Sequence, residues 1–186
     1  EKALDWLNNR GGDIAQITRE LAAANERDAA RAQRMVQRLE EAEQARLRTV
    51  TARRHAGAYI NGGLASYELP SAIGEFITGP WFDSAQLVLV KYGRQSPEWE
   101  QMQRATRQLM ESVQDIDPED SAARDRRNQL LRHLPGELRR WLISLEHDSD
   151  AVDSAVGLVE YAHLRIQHGQ QLQRARIAPI TVEEEA

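Results

Sequence analysis

The sequence predicts an all-α protein, an irregular bundle of five or six helices with a long N-terminal helix. Three observations carry that expectation. Apolar residues recur at helical rather than alternating spacing through most of the 186 residues. Helix-start chemistry repeats at Asp13, at Ser96-Pro97-Glu98 and at Asp117-Pro118-Glu119-Asp120. One short run, Leu87-Val88-Leu89-Val90, has strand-like propensity, but no second strand pairs with it in the pattern and a lone strand is unstable.

The first element is read over residues 14–60, capped by Asp13 after Gly11-Gly12. On a helical wheel Ile14, Ile17, Leu21, Ala32, Met35, Val36, Leu39, Leu47 and Val50 share one face. Asn25, Asp28, Glu43 and Arg46 fall on the same face, so the pattern is not a strict heptad seam. It predicts a helix docked for only part of its length, with apolar residues left over for a second copy of the chain. Asn61-Gly62-Gly63 is expected to interrupt or end it.

A short helix from Ser71 to Ile77 follows Pro70, and the next runs from Pro80 to Tyr92 after Gly79 ends its predecessor. The Ser96 start opens a helix to about Gln114 with Trp99, Met102, Leu109, Met110 and Val113 as its apolar set. Another helix reaches Leu134, where Pro135-Gly136 is expected to break or kink it, and Leu138, Trp141, Leu142 and Leu145 form the face beyond. Ser149 or Asp150 caps a last helix bearing Val152, Val156, Val159, His163 and Ile166. The expected organisation is a long helix over 1–66 that projects or dimerises, a compact helical domain over 67–172, and a linker or disordered acidic tail over 173–186 that ends in Glu183-Glu184-Glu185.

Composition excludes several function classes. The net charge of -5 argues against a dedicated nucleic-acid binder, which needs concentrated positive charge. The chain has no cysteine, which removes disulfides, thiolate metal sites and a cysteine nucleophile. No apolar run approaches the roughly 20 residues that span a bilayer. Nothing resembles a secretory signal, so a cytoplasmic setting is expected. The sequence opens at Glu1 without methionine, which suggests a piece of a longer protein.

Candidate chemistry is sparse. Glu160-Tyr161-Ala162-His163 fits the Glu-x-x-His half of a helical di-iron site, but a full site needs a second such pair and further carboxylates. A partly buried His163 beside a solvated Glu160 is the favoured reading. His147, Asp148 and Ser149 are consecutive and suit a helix-linking loop better than a triad. Phosphate-loop patterns are absent. Arg27, Arg31, Arg34 and Arg38 form a stripe roughly opposite the apolar face; a solvated surface is the simpler reading, and docking of an acidic partner the functional one. Pro70, Phe76, Gly79, Pro80, Trp81 and Phe82 make a structural corner, in which the aromatics anchor the core rather than cage a ligand.

Several segments together resemble a family catalogued as domain of unknown function 1631. They are Glu68-Leu69-Pro70, Glu75-Phe76, Gly79-Pro80-Trp81, Ser96-Pro97-Glu98-Trp99, Ser112-Val113-Gln114 and His133-Leu134-Pro135. The resemblance covers about residues 46–168. It implies a helical cytoplasmic bacterial protein longer than this chain, and it supplies no catalytic residues. Some longer relatives are associated with PilZ-type cyclic-di-GMP receptors. Arg27-x-x-x-Arg31 and Arg34-x-x-x-Arg38 echo one PilZ segment, but they sit inside a helix and lack its Asp/Asn-x-Ser-x-x-Gly partner.

The function expected is a non-catalytic interaction or regulatory module of a larger bacterial protein, linked to cyclic-di-GMP signalling. Its partner would be another protein, another domain of the same protein or a second copy. No catalytic residue, cofactor or metal is assigned. The alternatives are a small-ligand receptor with an inter-helix pocket near Phe76, Trp81 and Phe82, and a metal-dependent helical enzyme using Glu160 and His163.

Overall fold

The computed structural model of the chain describes residues 2–182, with side chains described from residue 14 onward. Its elements are α1 (Lys2–Ser66), β1 (Leu69–Pro70), α2 (Ser71–Phe76), a π-helical turn (Ile77–Trp81), α3 (Phe82–Tyr92), α4 (Pro97–Ser112), α5 (Ser121–Ser144), α6 (Ser149–Gln167) and β2 (Arg174–Ala175). The fold is all-α with a long N-terminal helix, as expected. Among the described residues the strands amount to one minor antiparallel pairing.

The chain divides into two units, Glu1–Leu47 and Arg48–Ala186. The division falls inside α1, not between residues 66 and 67. The expected cap at Asp13 involves a side chain outside the described residues, whereas the helical backbone begins at Lys2 and continues through Gly11-Gly12. In the first unit Ile14, Ile17, Leu21, Met35, Val36, Leu39 and Leu47 are each between 54% and 65% exposed.

In the second unit α1 contributes Ala52, Ala56, Ile60 and Leu64, one buried residue every four positions. Residues four apart lie one above another on a helix, so these four make a single contact stripe. Asn61-Gly62-Gly63 neither interrupts nor ends the helix, which continues to Ser66. Gly63 is there for close approach: a Cβ at this position would stand 2.6 Å from Met110 Sδ. Around this stripe α2 packs on α6, α6 on α5, α5 on α4 and α4 on α3.

Side-chain caps start α4, α5 and α6. Ser96 Oγ accepts from Trp99 N at 3.1 Å, and Asp120 accepts from Ala123 N at 2.9 Å. The last helix is capped by Asp148, which accepts from Asp150 N and Ala151 N, one position before the pair expected to do so. Pro135-Gly136 does not break the chain, because α5 runs unbroken to Ser144. Pro135 removes one amide donor from the helical ladder. Burial of Leu131, Leu134, Leu138 and Leu142 along the same face holds the helix together across that gap.

The segment after α6 is a docked strap rather than a linker. Leu69 pairs with Ala175 and Pro70 with Arg174. Pro70 has no N–H to give, which suits this short edge. Farther along, the side chain of Asn61 imitates a strand edge: its Nδ2 donates to Ile180 O at 3.0 Å and its Oδ1 accepts from Ile180 N at 2.7 Å. Arg176 Nη1 donates to Ala65 O at 2.7 Å. Leu172, Ile177 and Ile180 pack against the core. Glu183-Glu184-Glu185 lie outside the described residues.

The seat of Ile177 is a glycine. A Cβ on Gly74 would stand 2.5 Å from Ile177 Cδ1. Gly74→Ala is expected to destabilise the full chain by about 1–3 kcal/mol through overpacking. In a chain ended after Gln173 the same change should be neutral or stabilising by up to about 1 kcal/mol, the helix-propensity difference. Urea denaturation of the four proteins measures this, and an equal effect with and without the strap would refute its seating.

Candidate functional site

The Pro70–Phe82 corner is built around two stacked rings. Phe76 and Trp81 are fully buried, with centroids 5.6 Å apart and planes at 25°. Trp81 Nε1 donates to Thr106 Oγ1 at 2.8 Å, and Thr106 Oγ1 donates in turn to Met102 O at 2.7 Å. Gly79 leaves helical geometry, at φ -106 and ψ -106. Pro80 therefore lies inside the π-helical turn and does not start α3, which begins at Phe82. Ser84 Oγ donates to Pro80 O at 2.7 Å. Phe82 is nearly buried and carries the Arg53 guanidinium 5.3 Å above its ring. Phe76, Trp81 and Phe82, expected to line a small-ligand pocket, are buried in the core.

Glu160 and His163 do not converge on one point. Glu160 is exposed and pairs with Arg139 at 3.5 Å, and Arg139 also pairs with Asp153. His163 is 2% exposed, and its Nε2 lies 2.9 Å from Ser112 Oγ. Its Nδ1 is buried without a partner in hydrogen-bond geometry. The ring is held neutral: burial lowers its pKa from 6.5 to about 4, and the Leu131 backbone opposes this weakly. The Leu131 carbonyl is the acceptor that Pro135 leaves without a helical amide. His163 thus ties α6 to the end of α4 and faces the gap in α5. Among the described residues no group of three or more His, Asp or Glu side chains could hold a metal ion.

His147, Asp148 and Ser149 also separate. Asp148 caps α6, while His147 Nε2 lies 3.0 Å from the buried Ser84 Oγ of α3. The two Ser–His pairs were not foreseen from sequence. The one available signal was small: Ser84 and Ser112 fall among apolar residues of amphipathic helices, where a hydroxyl needs a partner.

Arg27, Arg31, Arg34 and Arg38 are all exposed on α1, and Arg27 Nε donates to Ala23 O at 3.0 Å. In the second unit a cleft of about 300 Å³ is lined by Gln114, Asp115, Arg127 and Arg174. Arg174 bridges it, pairing with Asp115 and donating from Nη1 to Val113 O at 3.3 Å. Its cation answers the carbonyls at the end of α4.

Residues 40–158 match the family described as protein of unknown function (DUF1631), third domain. The chain belongs to this family. No curated protein and no solved structure matches it. The matched DUF1631 residues include the corner but neither the four-arginine stripe nor Glu160 and His163. Segments that carried the resemblance meet in space. Gln114 Nε2 donates to Glu68 O at 3.0 Å and to Met110 O at 2.9 Å, joining the segment before α2 to the end of α4. Two of the segments that carried the resemblance thus meet at one helix junction.

Two measurements probe these junctions. Trp81→Ala is expected to cost about 3–5 kcal/mol of stability, read by chemical denaturation; a cost below about 1 kcal/mol would show that the ring is not an anchor. His163 gives a pH signature. Its folded pKa lies below the unfolded value, so the unfolded chain binds more protons between pH 6.5 and about 4. Its contribution is whole above pH 6.5 and is lost as pH falls through that window, by up to roughly 3 kcal/mol at about 1.4 kcal/mol per pH unit. Stability measured against pH should slope less over this range in His163→Gln than in the parent chain.

Proposed function

We propose that this DUF1631 domain is a non-catalytic interaction module of a larger bacterial cytoplasmic protein, with the apolar face of α1 in the first unit as its docking surface. One observation carries the reading: seven large apolar side chains between Ile14 and Leu47 are more than half exposed. Single exposed apolar residues are ordinary on a protein surface, whereas a series along one helix marks an interaction site. The arginine stripe lies roughly opposite this face and would offer a separate polar contact to an acidic surface, since guanidinium groups pair carboxylates in a fixed geometry. The polar groups that resembled catalytic parts support the same reading, because His147, Asp148 and His163 are engaged in loop, cap and core contacts.

The proposal extends to regulation. The resemblance connects some longer relatives with cyclic-di-GMP signalling, and a module of this kind would relay such a signal by contact. Nucleotide recognition is assigned to another part of the parent protein, because Arg27, Arg31, Arg34 and Arg38 lie exposed along a helix.

Val36→Lys combined with Leu39→Lys should abolish association of the chain, with itself or with the remainder of its parent protein, as followed by light scattering and sedimentation. The thermal unfolding of the second unit should be unchanged, within about 0.5 kcal/mol. Association that survives both lysines would overturn the assignment of the surface.

A further inference from the structure

The apolar face of α1 has an internal symmetry that selects its partner. Asp28, Ala32, Met35, Leu39, Ala42 and Arg46 follow one another along the face at steps of four, three, four, three and four residues. That order reads the same in both directions about residue 37. Met35 and Leu39 are 65% and 62% exposed. Asp28 and Arg46 are exposed. We propose that the partner is a second copy of this chain, bound antiparallel through α1, with Asp28 of each copy paired with Arg46 of the other. The inference rests on the reading of α1 as a docking surface and adds the identity, direction and register of what docks.

In this register Met35 of one copy meets Leu39 of the other at the centre, and Ala32 meets Ala42 on both sides. Small residues flanking a large apolar layer allow the helix axes to approach closely, toward the short end of the usual range of about 8–10 Å. The charge pairs close the overlap at both ends, some 27 Å apart at about 1.5 Å of rise per residue. Other arrangements use the same face badly. A parallel pair in register sets Asp28 against Asp28 and Arg46 against Arg46, and like charges facing each other are penalised. An antiparallel pair centred near residue 30 sets Arg46 against Ile14 and Glu43 against Ile17, desolvating charge without a partner. Polar residues within an otherwise apolar seam commonly fix register and direction in this way.

The chain has no cysteine, so engineered thiols report geometry without background. Full-length Met35→Cys and Leu39→Cys proteins would be mixed, oxidised and resolved by non-reducing electrophoresis and mass spectrometry. The expected product is the mixed disulfide between the two variants. Light scattering against concentration should show a dimer. Asp28→Arg or Arg46→Asp alone should weaken it at least about tenfold, and the two changes in one chain should restore it. Disulfides mainly within each variant, with single charge reversals that leave the dimer unaffected, would overturn the antiparallel register while leaving the docking surface intact. A monomer at every concentration would overturn the second copy as partner; the surface itself would then be judged by the paired lysine substitutions against the remainder of the parent protein.

Discussion

The indole of Trp81 sets a constraint that the second unit is arranged to meet. A ring this large contributes to stability only when it is taken out of water, yet its N–H must keep a hydrogen-bond partner once buried. Thr106 provides that partner, and its hydroxyl is fixed in turn by Met102 O. This short relay fixes the π-helical turn against α4. Phe76 can then stack on the indole, and α2 reaches its place against α6. The break in helical geometry at Gly79 gives the chain its change of direction beneath the ring. The corner and the bundle are thus one packing solution.

Much of this was legible in the sequence because it is local. The cap at Ser96 depends on chemistry within a few residues. The same start chemistry at Asp117-Pro118 misplaces the next helix by three residues, because Asp120 caps α5, and Pro80 lies within the π-helical turn instead of opening α3. The apolar sets of α4 and α6 were also readable, since large side chains at helical spacing have one plausible destination. What escaped depends on partners distant in sequence. Ala52 and Ala56 carry little hydrophobic signal, yet small size is what lets α1 lie close to its neighbours. Pro135 looks like a helix breaker, but four buried leucines outweigh one missing hydrogen bond. Asn61 looks like a helix end, although its amide serves Ile180, 119 positions away.

The candidate site divides along the same line. The arginine stripe and the apolar face of α1 belong to one helix and follow from its periodicity. The roles of Glu160, His163, His147 and Asp148 depend on which element stands opposite each side chain. Spacing alone placed Glu160 and His163 on one helix. Packing turned the histidine toward Ser112 and left the glutamate to Arg139. A motif at helical spacing therefore fixes an angle around the axis, not a shared environment.

The strap has a topological consequence. The second unit begins at Arg48 on α1, and its last described residue, Val182, lies against Gly57 on the same helix. Nine residues of helix separate those points, roughly 14 Å at the usual rise. The second unit thus begins and closes on the same helix, and the strap's pairing with Leu69 and its amide contact with Asn61 link the end of the described chain to the start of that unit.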